Sequence, residues 1–110
     1  PLSALPSLLP ARFTQADRIQ NLPTAKSQQL IQNLAQDKTA LQSFVQFTDS
    51  HAVHTDLTDG LRITLADESI IHLRPSGNAP ELRCYTEAST PQQAQQLLSA
   101  SLNQVKSILS

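Results

Sequence analysis

A chain of 110 residues carrying a formal charge of −1, with its eight lysines and arginines scattered, holds one domain and lacks the basic face of a nucleic-acid module. Aromatic residues make up only 4% of it, too few for a base-stacking platform, and no apolar run approaches the length of a bilayer crossing. The lone cysteine, Cys84, has no internal partner for a disulfide, which fits a reducing, cytoplasmic setting.

Residues 2–9, LSALPSLL, read as a connecting arm or the end of a helix, because Pro6 and Pro10 prevent a long one. The opening has no basic leader and no long apolar stretch, so no secretory signal is expected. The chain lacks an initiator methionine, and methionine is absent throughout, so an N-terminal portion is expected to have been cut away or never expressed. Residues 12–22, RFTQADRIQNL, can form an extended strand: Phe13 favours it, and the polar content works against it. Thr24, just after Pro23, is expected to cap a helix over residues 25–36, with Leu30, Ile31 and Leu34 at helical spacing. Gln28, Gln29, Gln32 and Gln36 fill its solvent side. Asp37 is expected to cap a second, short helix with Leu41, Phe44 and Val45 on one face.

From residue 51 the period changes from helical to alternating. HAVHTDLT runs to Asp59-Gly60, a hairpin signal. Leu61, Ile63 and Leu65 then alternate with Arg62 and Thr64, and Asp67-Glu68 makes the next turn. Ile71 and Leu73 lead into Arg74, and after a loop Leu82, Cys84 and Thr86 alternate with Arg83, Tyr85 and Glu87. Thr90 and Gln93 have capping-box spacing around Pro91, and Ala94, Leu97, Leu98, Leu102, Val105 and Leu109 form one helical stripe. The fold class expected is α+β: four antiparallel strands with two main helices packed on one face.

The loop between the last two strands, RPSGNAPELR over residues 74–83, concentrates the anion chemistry of the chain. Arg74 supplies a planar, permanently charged fork that can grip two oxygens at once. Ser76 adds a hydroxyl donor and Asn78 an amide. Gly77 permits turn conformations in which successive N–H groups line one concavity. Pro75 and Pro80 limit the loop's freedom, and Arg83 returns as a second cation. By residue chemistry alone, a plain hairpin turn with an exposed arginine is an equal alternative.

The run HLRPSGNAPELRCYTEA resembles the phosphate-binding loop of the α-D-phosphohexomutases, whose usual form is R-P-S-G-T-E-P-x-x-R. Arg74, Pro75, Ser76, Gly77, Pro80 and Arg83 match that form. Asn78 and Ala79 replace Thr-Glu, with Asn78 standing in for the Thr hydroxyl, a departure similar to the phosphomannomutase/phosphoglucomutase branch. RFTQADRIQN and PTAKSQ also look like that branch. The resemblance implies the last of four domains, with a fold similar to one repeat of the TATA-box-binding-protein fold. Residues 1–11 would be the linker and residues 12–110 the C-terminal phosphate-binding domain. It also implies a substrate-phosphate cradle made by Arg74, Ser76, Gly77, Asn78 and Arg83, in an enzyme interconverting hexose 6-phosphate and hexose 1-phosphate of mannose or glucose through a bisphosphorylated sugar. The catalytic serine, the Mg²⁺ of the parent enzyme and the sugar-recognition loop would belong to upstream domains. This chain has no Ser-His-Asn-Pro or Asp-Gly-Asp run, so it is expected to be inactive alone. A non-enzymatic anion-binding module and a purely structural domain are the alternatives.

Other chemistry is weakly represented. His51, His54 and His72 lack the spaced Cys or carboxylate partners of a metal site. His72 is expected to point away from the core, near the loop. Ser76 has no His–acid pair to make it a nucleophile, and Cys84 reads as a small buried hydrophobe.

Overall fold

The computed structural model describes residues 13–76 and 79–109; the expected linker, residues 1–11, lies outside them. Strands β1 (Phe13–Gln20), β2 (Ala52–Asp56), β3 (Leu61–Leu65), β4 (Ile70–Pro75) and β5 (Glu81–Ala88) form one antiparallel sheet. Its order is β1-β5-β4-β3-β2. Helices α1 (Thr24–Gln36), α2 (Lys38–Val45) and α3 (Pro91–Leu109) complete the fold, with a short 3₁₀ turn over Gln46–Thr48.

The period-2 signal of the later strands is realised as one buried face. Leu61, Ile63 and Leu65 of β3, Ile71 and Leu73 of β4, and Leu82 and Cys84 of β5 are buried there. They meet Leu30, Ile31 and Leu34 of α1, Phe44 and Val45 of α2, and Leu97, Leu98, Leu102 and Val105 of α3 in one core cluster. Helix α3 lies against β1 and β5, and α1 lies against β4 and β5. The opposite face of the sheet keeps the polar set: Arg62, Arg74 and Arg83 are exposed and His72 and Tyr85 are half-buried.

Four strands were expected and five are present among the described residues. The extra one is β1, which pairs residue for residue with β5 from Phe13↔Ala88 to Gln20↔Glu81. It stands at one end of the sheet and is exposed along most of its length. Its ladder of backbone hydrogen bonds therefore holds it more than side-chain burial does, and such a strand carries little hydrophobic alternation.

The helix starts divide in the same way. Asp37 caps α2 as expected: its Oδ1 accepts from the N–H groups of Thr39 and Ala40, at 3.0 and 3.2 Å. Thr90 Oγ1 accepts the N–H of Gln93 at 3.1 Å and so caps α3. The reciprocal half of that box is altered, because the Gln93 side chain accepts from the Ser89 hydroxyl. The expectation for Thr24 is corrected. Pro23 is the cap residue of α1, no side chain caps this end, and Thr24 is already helical. The Pro23 carbonyl accepts from Lys26 and Ser27.

One further contact fixes an end strand of the sheet. The side-chain amide of Gln42, on α2, accepts the N–H of Ala52 at 3.0 Å and donates to its carbonyl at 3.1 Å. The register of β2 against β3 shifts just beyond this point, between Ala52 and His54.

Candidate functional site

The anion-rich segment is mounted between two paired strands. Arg74 and Pro75 end β4, opposite Arg83 and Leu82 of β5. The N–H of Ser76 donates to the Glu81 carbonyl at 3.0 Å, and the N–H of Glu81 donates to the Ala79 carbonyl at 2.8 Å. The N–H of Leu22 donates to the Pro80 carbonyl at 2.7 Å, tying the returning limb to the segment after β1. Ser76 is buried at the loop's base. Gly77 and Asn78 lie outside the described residues.

Arg83 is opposite Arg74 on one side and opposite Arg18 of β1 on the other. Directly paired residues share a face, so three arginines stand abreast across β1, β5 and β4. Like charges side by side repel unless anions are interleaved. Glu81 supplies one: its carboxylate, 9% exposed, lies 3.2 Å from Arg83 Nε and 3.9 Å from Arg18 Nε. Asp59, in the β2–β3 turn, supplies another at 3.2 Å from Arg74 Nε.

The two arginines proposed from sequence thus differ in setting. Arg83 is held along its own strand. The Tyr85 side chain, and after it Glu81, raise its pKa above the ordinary arginine value. Its partners are thus the residues two places before and two places after it on β5. Arg74 is half-exposed at the strand end, and its partner Asp59 is itself 57% exposed. A shallow hollow of about 400 Å³, lined by Ala16, Asp17, Arg18, Arg83 and Tyr85, opens beside this row.

His72 faces away from the core, as its alternation implied. Its Nε2–H donates to the Asp59 carbonyl, and its ring lies 5.8 Å from that of Tyr85 in a tilted arrangement. Cys84 is fully buried, and burial first, with Asp17 adding, pushes its thiol up to about 12. The thiolate form that nucleophilic or metal chemistry requires is therefore suppressed near neutral pH.

Among the described residues, no group of three His, Cys, Asp or Glu side chains is placed to hold a metal ion. No described helix is long and apolar enough to cross a membrane.

Three charged residues of this arrangement were not singled out by sequence. Arg18 lay inside the polar run read as a strand. Glu81 occupies an unspecified position between Pro80 and Arg83, and Asp59 read only as a turn former. Cross-strand register, which local sequence does not display, is what brings Arg18 beside Arg83.

The chain was compared with known proteins. The family model for the C-terminal domain of phosphoglucomutase/phosphomannomutase matches residues 12–104. A phosphomannomutase of Salmonella muenchen is 43% identical over 108 residues, which is 98% of this chain and 23% of that protein. A phosphomannomutase of Sinorhizobium fredii (strain NBRC 101917 / NGR234) is 39% identical over 102 residues, covering 93% of this chain and 21% of that protein. The chain spans less than a quarter of the length of these curated relatives. It belongs to the family of phosphoglucomutase/phosphomannomutase C-terminal domains.

Proposed function

We propose that this domain clamps the phosphate that is not being transferred in a cytoplasmic phosphomannomutase/phosphoglucomutase acting on mannose or glucose phosphates. Arg74 is the main ligand in this reading. Ser76, Gly77 and Asn78 complete the cradle, and Arg83 supports its base. The observation that carries the reading is the placement of Arg74: half-exposed at the end of β4, opening a loop whose two limbs are tied together by the Ser76–Glu81 hydrogen bond. A site on paired strands holds its geometry better than one on a free loop. The domain itself is residues 12–110, and upstream domains of the parent enzyme would supply the phosphoserine, the Mg²⁺ and the sugar contacts.

Alone, the 110-residue chain should bind hexose 1-phosphate with a dissociation constant around the millimolar range, because one exposed arginine cradle gains little against water and salt. It should not catalyse the interconversion. Titration followed by NMR should shift the amides of residues 76–78 first. Largest shifts on α3, or mutase turnover above background by the pure chain, would sink the proposal. Equal binding of inorganic phosphate and sugar phosphates would favour a general anion module, and no shift at all would leave a structural turn.

A further inference from the structure

The turn between β2 and β3 is fastened to the end of β4 at three points. The Asp59 carbonyl accepts from His72. Gly60, at φ +73, packs so closely that a Cβ there would lie 3.1 Å from the Arg74 Cα and closer still to the Leu73 carbonyl. The Asp59 carboxylate meets Arg74 Nε at 3.2 Å. The first two contacts use the backbone of the turn and neither charged group of the ion pair. The backbone that carries the Asp59 carboxylate is therefore held in place whether or not the Arg74 guanidinium comes to it.

An arginine presents five N–H donors. Asp59 engages the Nε side and leaves the four N–H bonds of the two terminal nitrogens for another acceptor. Both side chains are about half exposed, so the pair adds little to stability. Its larger effect is on freedom: a long arginine side chain gives up much rotamer entropy on binding, and a fixed partner removes part of that loss beforehand.

From this geometry we infer that Asp59 is a positioning residue, which holds Arg74 by its Nε edge so that the remaining fork is presented to the substrate phosphate. The inference rests on the proposed role of Arg74. It has an electrostatic counterweight, since Asp59 also repels an incoming dianion. Repulsion acting beyond the screening length is largely lost in salt, and an ion-pair contact of 3.2 Å, shorter than that length, is lost less. Ionic strength therefore separates the two.

The test uses the 110-residue chain, inorganic phosphate and NMR at about 0.5 M salt, where the screening length falls to a few ångströms. The Nε–Hε signal of Arg74 reports on orientation directly. Asp59→Ala should move that signal, leave the amides of α3 in place and weaken phosphate binding by about two- to fivefold, the upper part of what an exposed ion pair is worth. Asp59→Asn keeps an acceptor oxygen, should fold in any case and should fall between wild type and Asp59→Ala. In an Arg74→Lys background, which has no Nε–H, Asp59→Ala should change affinity little. Affinity in Asp59→Asn and Asp59→Ala equal to or above wild type at this salt overturns the inference, even where the wild type binds well. A wild type whose residues 74–78 ignore phosphate overturns the clamp reading itself and this inference with it.

Discussion

Under the proposed function, Arg74→Ala in the full-length parent should lower kcat/KM by roughly 10- to 150-fold for both the 1-phosphate and the 6-phosphate of the hexose. The figure corresponds to about 1.5–3 kcal/mol for removing one charge-assisted hydrogen bond from the transition state. Both directions should suffer because the same loop would hold whichever phosphate is idle, the 6-phosphate in one half-reaction and the 1-phosphate in the other. The unchanged overall equilibrium also requires the two effects to match. Arg74→Lys keeps the charge and loses the planar fork, so it should fall between wild type and alanine. Domain closure over the substrate would draw on the same interaction, so kcat should fall as KM rises. Steady-state kinetics in both directions measure this. An alanine variant with normal constants in both would remove Arg74 from the clamp.

Gly60→Ala should cost about 2–5 kcal/mol of folding stability, a large part of what a small domain has. Two effects act together. The residue sits at φ +73, where an L side chain costs about 1–2 kcal/mol. The new methyl would also overlap the Leu73 carbonyl and crowd Arg74, and backbone of a paired strand cannot swing aside as a side-chain tip can. Overpacking of that kind adds about 1–3 kcal/mol. Gly60→Asn separates the two contributions, because asparagine tolerates the left-handed region but still carries a Cβ. Urea unfolding of wild type and both variants gives the answer. If asparagine restores most of the loss, conformation dominates; if it does not, the clash does. An alanine variant within about 0.5 kcal/mol of wild type would mean that the turn can lift from β4 at almost no cost.

Elements that bury one regular face were legible in the sequence. β3, β4 and, from Leu82 on, β5 alternate because one side of each meets the helices, and the stripe on α3 follows for the same reason. Asp37 was readable because a cap acts within three residues of itself. β1 was only half readable. Its residues are polar on both faces, and its partner strand lies most of the chain's length away. Thr24 misled because hydroxyl residues suit a cap, while here the preceding proline takes the cap position.

The site divides along the same line. Arg74, Ser76 and Arg83 are visible because they sit in one continuous motif. The acidic residues that pair with those arginines are not marked by any motif: Glu81 looks like an ordinary strand residue, and Asp59 looks like a turn former. Burial of the Glu81 carboxylate among arginines, and the return of the β2–β3 turn against β4, are properties of register and of backbone packing.

An end strand of a sheet normally offers a row of unpaired N–H and C=O groups, which is where two molecules can zip together into aggregates. At Ala52 that offer is withdrawn. The amide of Gln42 takes both backbone groups, as the peptide of a neighbouring strand would. The register shift immediately after it breaks the even spacing that an incoming strand would need. A second molecule approaching β2 at this point would first have to displace a glutamine held by two hydrogen bonds from within its own chain. The sheet is thus closed to intermolecular growth there by one neutral side chain, with no added charge and no proline.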